Sequence, residues 1–89
     1  MRLDIFLKVS RLVPRRTLAQ QMCEAGAVTL NNAPAKSARD VRVGDRLAIK
    51  QRGRLTTVLV KEVPIKPALK AQAATLYEIL SVEAYDTES

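Results

Sequence analysis

The sequence contains no histidine and no tryptophan, a single cysteine, and only three aromatic residues, Phe6, Tyr77 and Tyr85. Without histidine the commonest general base and metal ligand is missing, and a lone Cys23 can form neither an intrachain disulfide nor a paired-cysteine zinc site. Three aromatics, with Phe6 on an apolar helix face, cannot build the stacking platform on which single-strand RNA modules read bases. Glycine is also scarce, at 3 residues, and no glycine-rich phosphate loop occurs. The longest apolar runs span a few residues, as at Val58, Leu59 and Val60, too short to cross a bilayer. Nor does Met1–Arg2–Leu3–Asp4 open a secretory segment, so the cytoplasm is the expected location and no membrane partner is expected. A chain of 89 residues holds one domain with a thin core. No nucleophile with a base partner and no carboxylate pair in an apolar pocket can be assembled. The expectation is a protein that is not an enzyme and needs neither metal nor cofactor.

What the chain has in quantity is positive charge: 15 Lys and Arg against 9 Asp and Glu, a net +6. The surplus is uneven. Residues 76–89 carry Glu78, Glu83, Asp86 and Glu88 and no base, which leaves a net +10 on residues 1–75. A basic body favours an anionic partner, because Lys and Arg displace counterions condensed on a phosphate backbone. The plainer alternative is a solubilising surface charge.

Leu3, Phe6, Leu7 and Ser10 follow helical spacing and predict a first helix over about 2–12, with Asp4, Lys8 and Arg11 as a polar stripe in which Asp4 can pair with Lys8. Val13–Pro14 interrupts the pattern. Leu18, Ala19, Met22 and Cys23 then predict a second helix over about 14–25, capped at Gly26, with Cys23 packed as a small hydrophobe. From Ala27 the period becomes two. Val28 and Leu30 mark a strand, Asn31–Asn32 a turn, and Pro34 breaks the run. Val41 and Val43 offer a short extended piece before the turn at Gly44–Asp45 and a strand over 46–50. Gln51–Arg52–Gly53–Arg54 reads as a hairpin turn into a β-branched strand over 55–63. Pro64 and Pro67 bracket a linker, after which Leu69, Ala73, Leu76 and Leu80 predict a C-terminal helix over about 68–82 and a frayed acidic end. The fold class is α+β: an N-terminal αα-hairpin on a small twisted antiparallel sheet, plus a C-terminal helix. Residues 1–63 form the domain, and 64–89 the linker, helix and acidic tail.

Arg15–Arg16, in the first turn of helix two, oppose the positive end of the helix dipole at a cost of a few tenths of a kcal/mol each. Where local stability is sacrificed a functional site is a reasonable expectation. Free backbone N–H groups and two guanidinium groups there make an anion site, with the planar bidentate geometry that lysine lacks. Alternatively one arginine pairs with Asp40 or Asp45. Arg2, Lys8 and Arg11 can lie beside the pair, and Lys36 and Arg39, with Arg42 and Arg46, can extend the patch. Lys50, Arg52 and Arg54 cluster at the hairpin turn, where solvation and a second RNA contact stay equally open.

Arg2–Leu3–Asp4, Arg15–Arg16 with Thr17–Leu18–Ala19, Gly26–Ala27–Val28, Asn31 and Val43–Gly44–Asp45 align as an ordered set. Together they resemble the S-four (alpha-L) RNA-binding domain over about residues 1–60. Asn32 departs from the glycine usual in that family after the turn's first asparagine. The opening stretch through Ala19, the Ala73–Ala74, Tyr77 and Ile79 positions and the length are similar to the family's small ribosome-associated quality-control branch, the RqcP-like proteins of bacteria. The resemblance implies binding to a large ribosomal subunit obstructed by peptidyl-tRNA, contacts to large-subunit rRNA and P-site tRNA, and support of RqcH in alanine tailing of stalled chains. It also implies Arg2 and Arg16 as central RNA contacts, flanked by Lys8, Arg11 and Arg15, with Asp4 organising them. A monomer with no DNA partner is expected. The alternatives are a heat-shock S-four protein that recycles blocked large subunits, and a module docking a protein through the 68–82 helix.

Overall fold

The computed structural model describes residues 1–64 and 75–84. Two helices, α1 (Leu3–Val9) and α2 (Arg16–Glu24), precede five strands: β1 (Val28–Leu30), β2 (Ala33–Pro34), β3 (Arg46–Gln51), β4 (Arg54–Val60) and β5 (Tyr77–Ala84). The strands form one sheet in the order β2-β1-β3-β4-β5, with every neighbouring pair antiparallel. The predicted helical hairpin and antiparallel sheet are therefore both present.

Alternation fixes which side of the sheet is buried. Val28 and Leu30 stand opposite Ile49 and Leu47, and Leu47 opposite Val58. These residues and Val60 pack with Leu3, Phe6, Leu7, Val13, Ala19 and Met22 from the helical layer into one core. Cys23 joins it, as expected, and burial pushes its thiol pKa up, with the nearby Asp4 charge adding to the effect.

Both helices are shorter than their periodicity predicts, for local reasons. After α1 the Ser10 hydroxyl donates to the Leu7 carbonyl, and Arg11 turns into the left-handed region at φ 64°. Arg11 therefore leaves the helical stripe it was expected to share with Asp4 and Lys8. Arg15 is extended and caps α2 from outside, so the helix starts at Arg16. At its other end Gly26, at φ +76°, closes a Schellman motif: its N–H donates to the Cys23 carbonyl and the Ala27 N–H to that of Met22.

Two tight turns set the sheet register. Asn31–Asn32 and Arg52–Gly53 both place two consecutive residues at positive φ, the geometry that matches strand twist in two-residue hairpins. Asn32 therefore adopts the conformation for which glycine is otherwise chosen. Pro34 is the last residue of β2, where the run breaks as expected; it pairs opposite Thr29 on this edge strand, where a missing N–H is tolerated. Val41 is buried but not in a strand, and Val43 is largely exposed. Asn31 also ties the turn to the Gly44–Asp45 block: its side-chain oxygen accepts the Arg46 N–H, and its amide donates to Asp45.

The predicted helix over 68–82 is corrected at its C-terminal part. Tyr77–Ala84 is strand β5, paired along β4, while residues 68–74 lie outside the described residues. A bulge explains the misleading spacing. Val58 faces Ile79 and Thr57 faces Ser81, so Leu80 is an extra residue that breaks the period-two pattern. Register puts Tyr77, Ile79, Val82 and Ala84 on the same side of the sheet as Val58 and Val60, yet Ile79, Val82 and Ala84 stay exposed, and only Leu76, just before the strand, is buried in the core.

Candidate nucleic-acid interface

Asp4 lies in the first turn of α1 with no solvent exposure. Burying a carboxylate requires that it be paired and hydrogen-bonded, and it is. Arg2 donates from Nε to Oδ1 at 3.2 Å and from Nη2 to Oδ2 at 3.3 Å. Arg16 donates from Nε to Oδ2 at 3.1 Å, the Gln20 amide to Oδ2 at 2.8 Å, and the Ile5 N–H to Oδ1 at 2.8 Å. Burial alone would push this carboxyl up; the bonds from Gln20, Arg16 and Ile5 and the Arg2 charge outweigh it and hold the group below its usual range.

This arrangement resolves the conflict at the start of α2, whose first turn contains no acid. Asp4, one helix away, supplies the negative charge that end favours. Arg16 and Gln20 lie one turn apart on α2, and both reach it. Asp4 thus turns towards α2 and not to Lys8, and Arg16 pairs with neither Asp40 nor Asp45. Asp40 instead accepts from the Met1 ammonium at 2.8 Å and faces Arg42 at 3.5 Å.

The two arginines are divided in use. Their Nε atoms are committed to Asp4, yet their side chains remain 44% and 47% exposed. The Nη1 and Nη2 groups of Arg16 and Nη1 of Arg2 make no hydrogen bond among the described residues. On half-exposed side chains, these are donors of the kind that suits a planar oxyanion.

A third segment closes around this hub. The Leu3 N–H donates to the Arg39 carbonyl and the Asp4 N–H to that of Ser37; the Val41 N–H donates to Met1. Arg2 and Asp40 form an isolated antiparallel bridge. Lys36 and Arg39, predicted as an extension of the patch, are thereby carried on a loop anchored to the first turn of α1, with exposed side chains. Arg15 is exposed at the cap of α2, Lys8 in the last turn of α1 and Arg11 just beyond it. None of Lys8, Arg11 and Arg15 is bonded to the hub: Arg15 directly precedes Arg16, Lys8 lies one turn beyond Asp4, and Arg11 lies past the end of α1. Sequence reasoning missed Gln20; its i, i+4 relation to Arg16 was the available signal. Lys50, Arg52 and Arg54 stand elsewhere, at the β3–β4 turn. Among the described residues no cluster of His, Cys, Asp and Glu could hold a metal ion, and no helix is long and apolar enough to cross a membrane.

Comparison with known proteins agrees with this architecture. The S4 domain family matches residues 1–47. The chain is 47% identical over 83 residues to the RQC P-site tRNA stabilizing factor of Halalkalibacterium halodurans, covering 93% of each chain. It is 45% identical to the protein of that name from Bacillus subtilis, covering 93% of this chain and 95% of the relative, and 34% identical to that of Helicobacter pylori strain 26695, covering 86% and 92%. Among solved structures, trimeric heat shock protein 15 of Vibrio cholerae superposes with a TM-score of 0.83 at 27% identity, covering 91% of this chain and 82% of that one. With the helical hairpin, the sheet and nearly the whole length shared, the chain belongs to the S4-domain family of RQC P-site tRNA stabilizing factors.

Proposed function

We propose that this protein acts in the bacterial cytoplasm as a non-catalytic RNA clamp on large ribosomal subunits obstructed by peptidyl-tRNA. Arg2 and Arg16 contact phosphates of large-subunit rRNA and P-site tRNA, with Lys8, Arg11, Arg15, Lys36 and Arg39 around them. Holding the tRNA in place supports RqcH-dependent alanine tailing of the stalled chain, and a single copy suffices. The observation that carries this reading is the buried Asp4 carboxylate, which holds two half-exposed arginines and leaves them guanidinium donors with no protein partner among the described residues. The relatives' names supply the tRNA and its site. Phosphate geometry, with few aromatics available, favours recognition of RNA shape over base sequence.

Co-sedimentation with vacant large subunits and with subunits carrying peptidyl-tRNA, across a salt series, tests it. The expected result is preferential binding to the tRNA-occupied particle, falling steeply with salt and weakened by Arg16→Gln. Equal binding to both particles would reduce the role to general rRNA binding. The docking alternative loses its helix over 77–82, which is strand.

A further inference from the structure

The hub leaves a second group of bases unused, at the β3–β4 turn. Arg52, Arg54, Gln51 and Thr56 line a concavity of about 410 Å³. Register explains why they converge. Ile49 faces the core and stands opposite Thr56, while Gln51 stands opposite Arg54, so period two places Gln51, Arg54 and Thr56 on that same side, past the last buried pair. Both arginines are exposed, and neither takes part in an ion pair among the described residues. The nearest acid along β5, Glu83, is opposite Leu55 and so belongs to the other side of the sheet.

The backbone supplies an independent sign. Arg52 sits at φ 55° in a two-residue turn where asparagine or glycine is the favoured choice. A basic side chain stands there against local preference, as at Arg11, which has φ 64° just past the end of α1.

We infer that Arg52 and Arg54, with the Gln51 amide and the Thr56 hydroxyl, form a second phosphate-binding site that takes the backbone of an RNA strand, separate from the Asp4 hub. The inference rests on the RNA-binding reading above and gives the protein two points of attachment to RNA. A solvated turn would leave binding indifferent to these residues.

The test is binding of the full chain to a fluorescent transfer RNA transcript across a salt series. The proteins compared are the wild type, Arg16→Gln, the pair Arg52→Asn/Arg54→Gln, and a charge-matched control pair outside both basic clusters, Lys61→Gln/Lys66→Gln. The tip pair should weaken binding about tenfold at moderate salt and reduce the slope of log affinity against log salt by about 1–2, as expected for one or two lost phosphate contacts. Its Tm should stay level or rise, since asparagine suits the left-handed position. Unchanged affinity and slope in the tip pair, with Arg16→Gln still impaired, would overturn the second site alone. A loss no greater than in the control pair would also overturn it, by assigning the effect to net charge. Absence of RNA binding by the wild type would overturn this inference and the proposed function together.

Discussion

Arg16, at the first position of α2, donates to a carboxylate oxygen of Asp4, a fully buried residue of the neighbouring helix. One contact thereby joins fold stability to the display of a guanidinium group, and the two effects separate by substitution. Arg16→Ala should cost about 1–2 kcal/mol, because Asp4 keeps its other donors, and should also weaken RNA binding. Arg16→Lys should recover much of the stability and little of the affinity, since an ammonium on Asp4 leaves no fork facing outward. Denaturant unfolding beside RNA titration checks both; full affinity in Arg16→Ala would remove it from the interface.

Removing the carboxylate acts more severely. Asp4→Asn presents an amide N–H₂ group to donors that need an acceptor, and should cost about 3 kcal/mol. RNA affinity should fall although Asp4 is buried, because Arg2 and Arg16 lose their anchor. An Asp4→Asn protein of wild-type stability would show that the hub contributes little.

Acid should reproduce part of this loss. Because folding depresses the Asp4 pKa below its ordinary 3.8, its contribution is complete above that value and disappears as pH falls through the folded-state pKa. Chemical denaturation at pH values from 6 down to 2.5 should show the wild type losing stability below about 4, with a flatter curve for Asp4→Asn. Parallel curves would place the acid sensitivity elsewhere.

Arg11 offers a substitution in the opposite direction. Its φ of 64° costs an L-residue on the order of 1 kcal/mol, which glycine avoids at some loss of chain entropy. Arg11→Gly should leave stability unchanged or raise it by ~0.5 kcal/mol while weakening RNA binding. Greater stability with undiminished affinity would mark Arg11 as a solvated turn residue.

The last strand is expected to be integral to the fold. Leu76 is 2% exposed, so Leu76→Ala should cost about 2–5 kcal/mol. Truncation after residue 67 would strip β5 from β4 as well, and should abolish cooperative unfolding by circular dichroism. A truncated chain that melts normally would restore an independent appendage.

Much of this architecture was legible in the sequence because its causes are local. Apolar spacing marked both helices, Gly26 the closing cap of the second, and Asn31–Asn32 a turn, which the structure builds with both residues at positive φ. Arg15–Arg16 drew attention by violating a dipole preference. The misses have non-local or concealed causes. The Leu80 bulge shifted β5 out of alternation, so its apolar residues mimicked a helical period. Asp4 had Lys8 one turn away as an obvious partner, but the path of residues 10–15 brought Arg16 and Gln20 to it. Arginine at positive φ carries no compositional signal, which hid the ends of α1 and the type of the second hairpin turn.

The stitching of residues 37–41 to residues 1–4 orders events in time. Local helix formation can begin early, but the loop that braces the start of α1 must be closed over a long stretch of chain. During synthesis, an emerging segment that ends before residue 41 has the arginines without their scaffold. The surface bearing Arg2 and Arg16 is therefore complete only once residues 37–41 have joined it, and its assembly belongs to the folding of the whole domain.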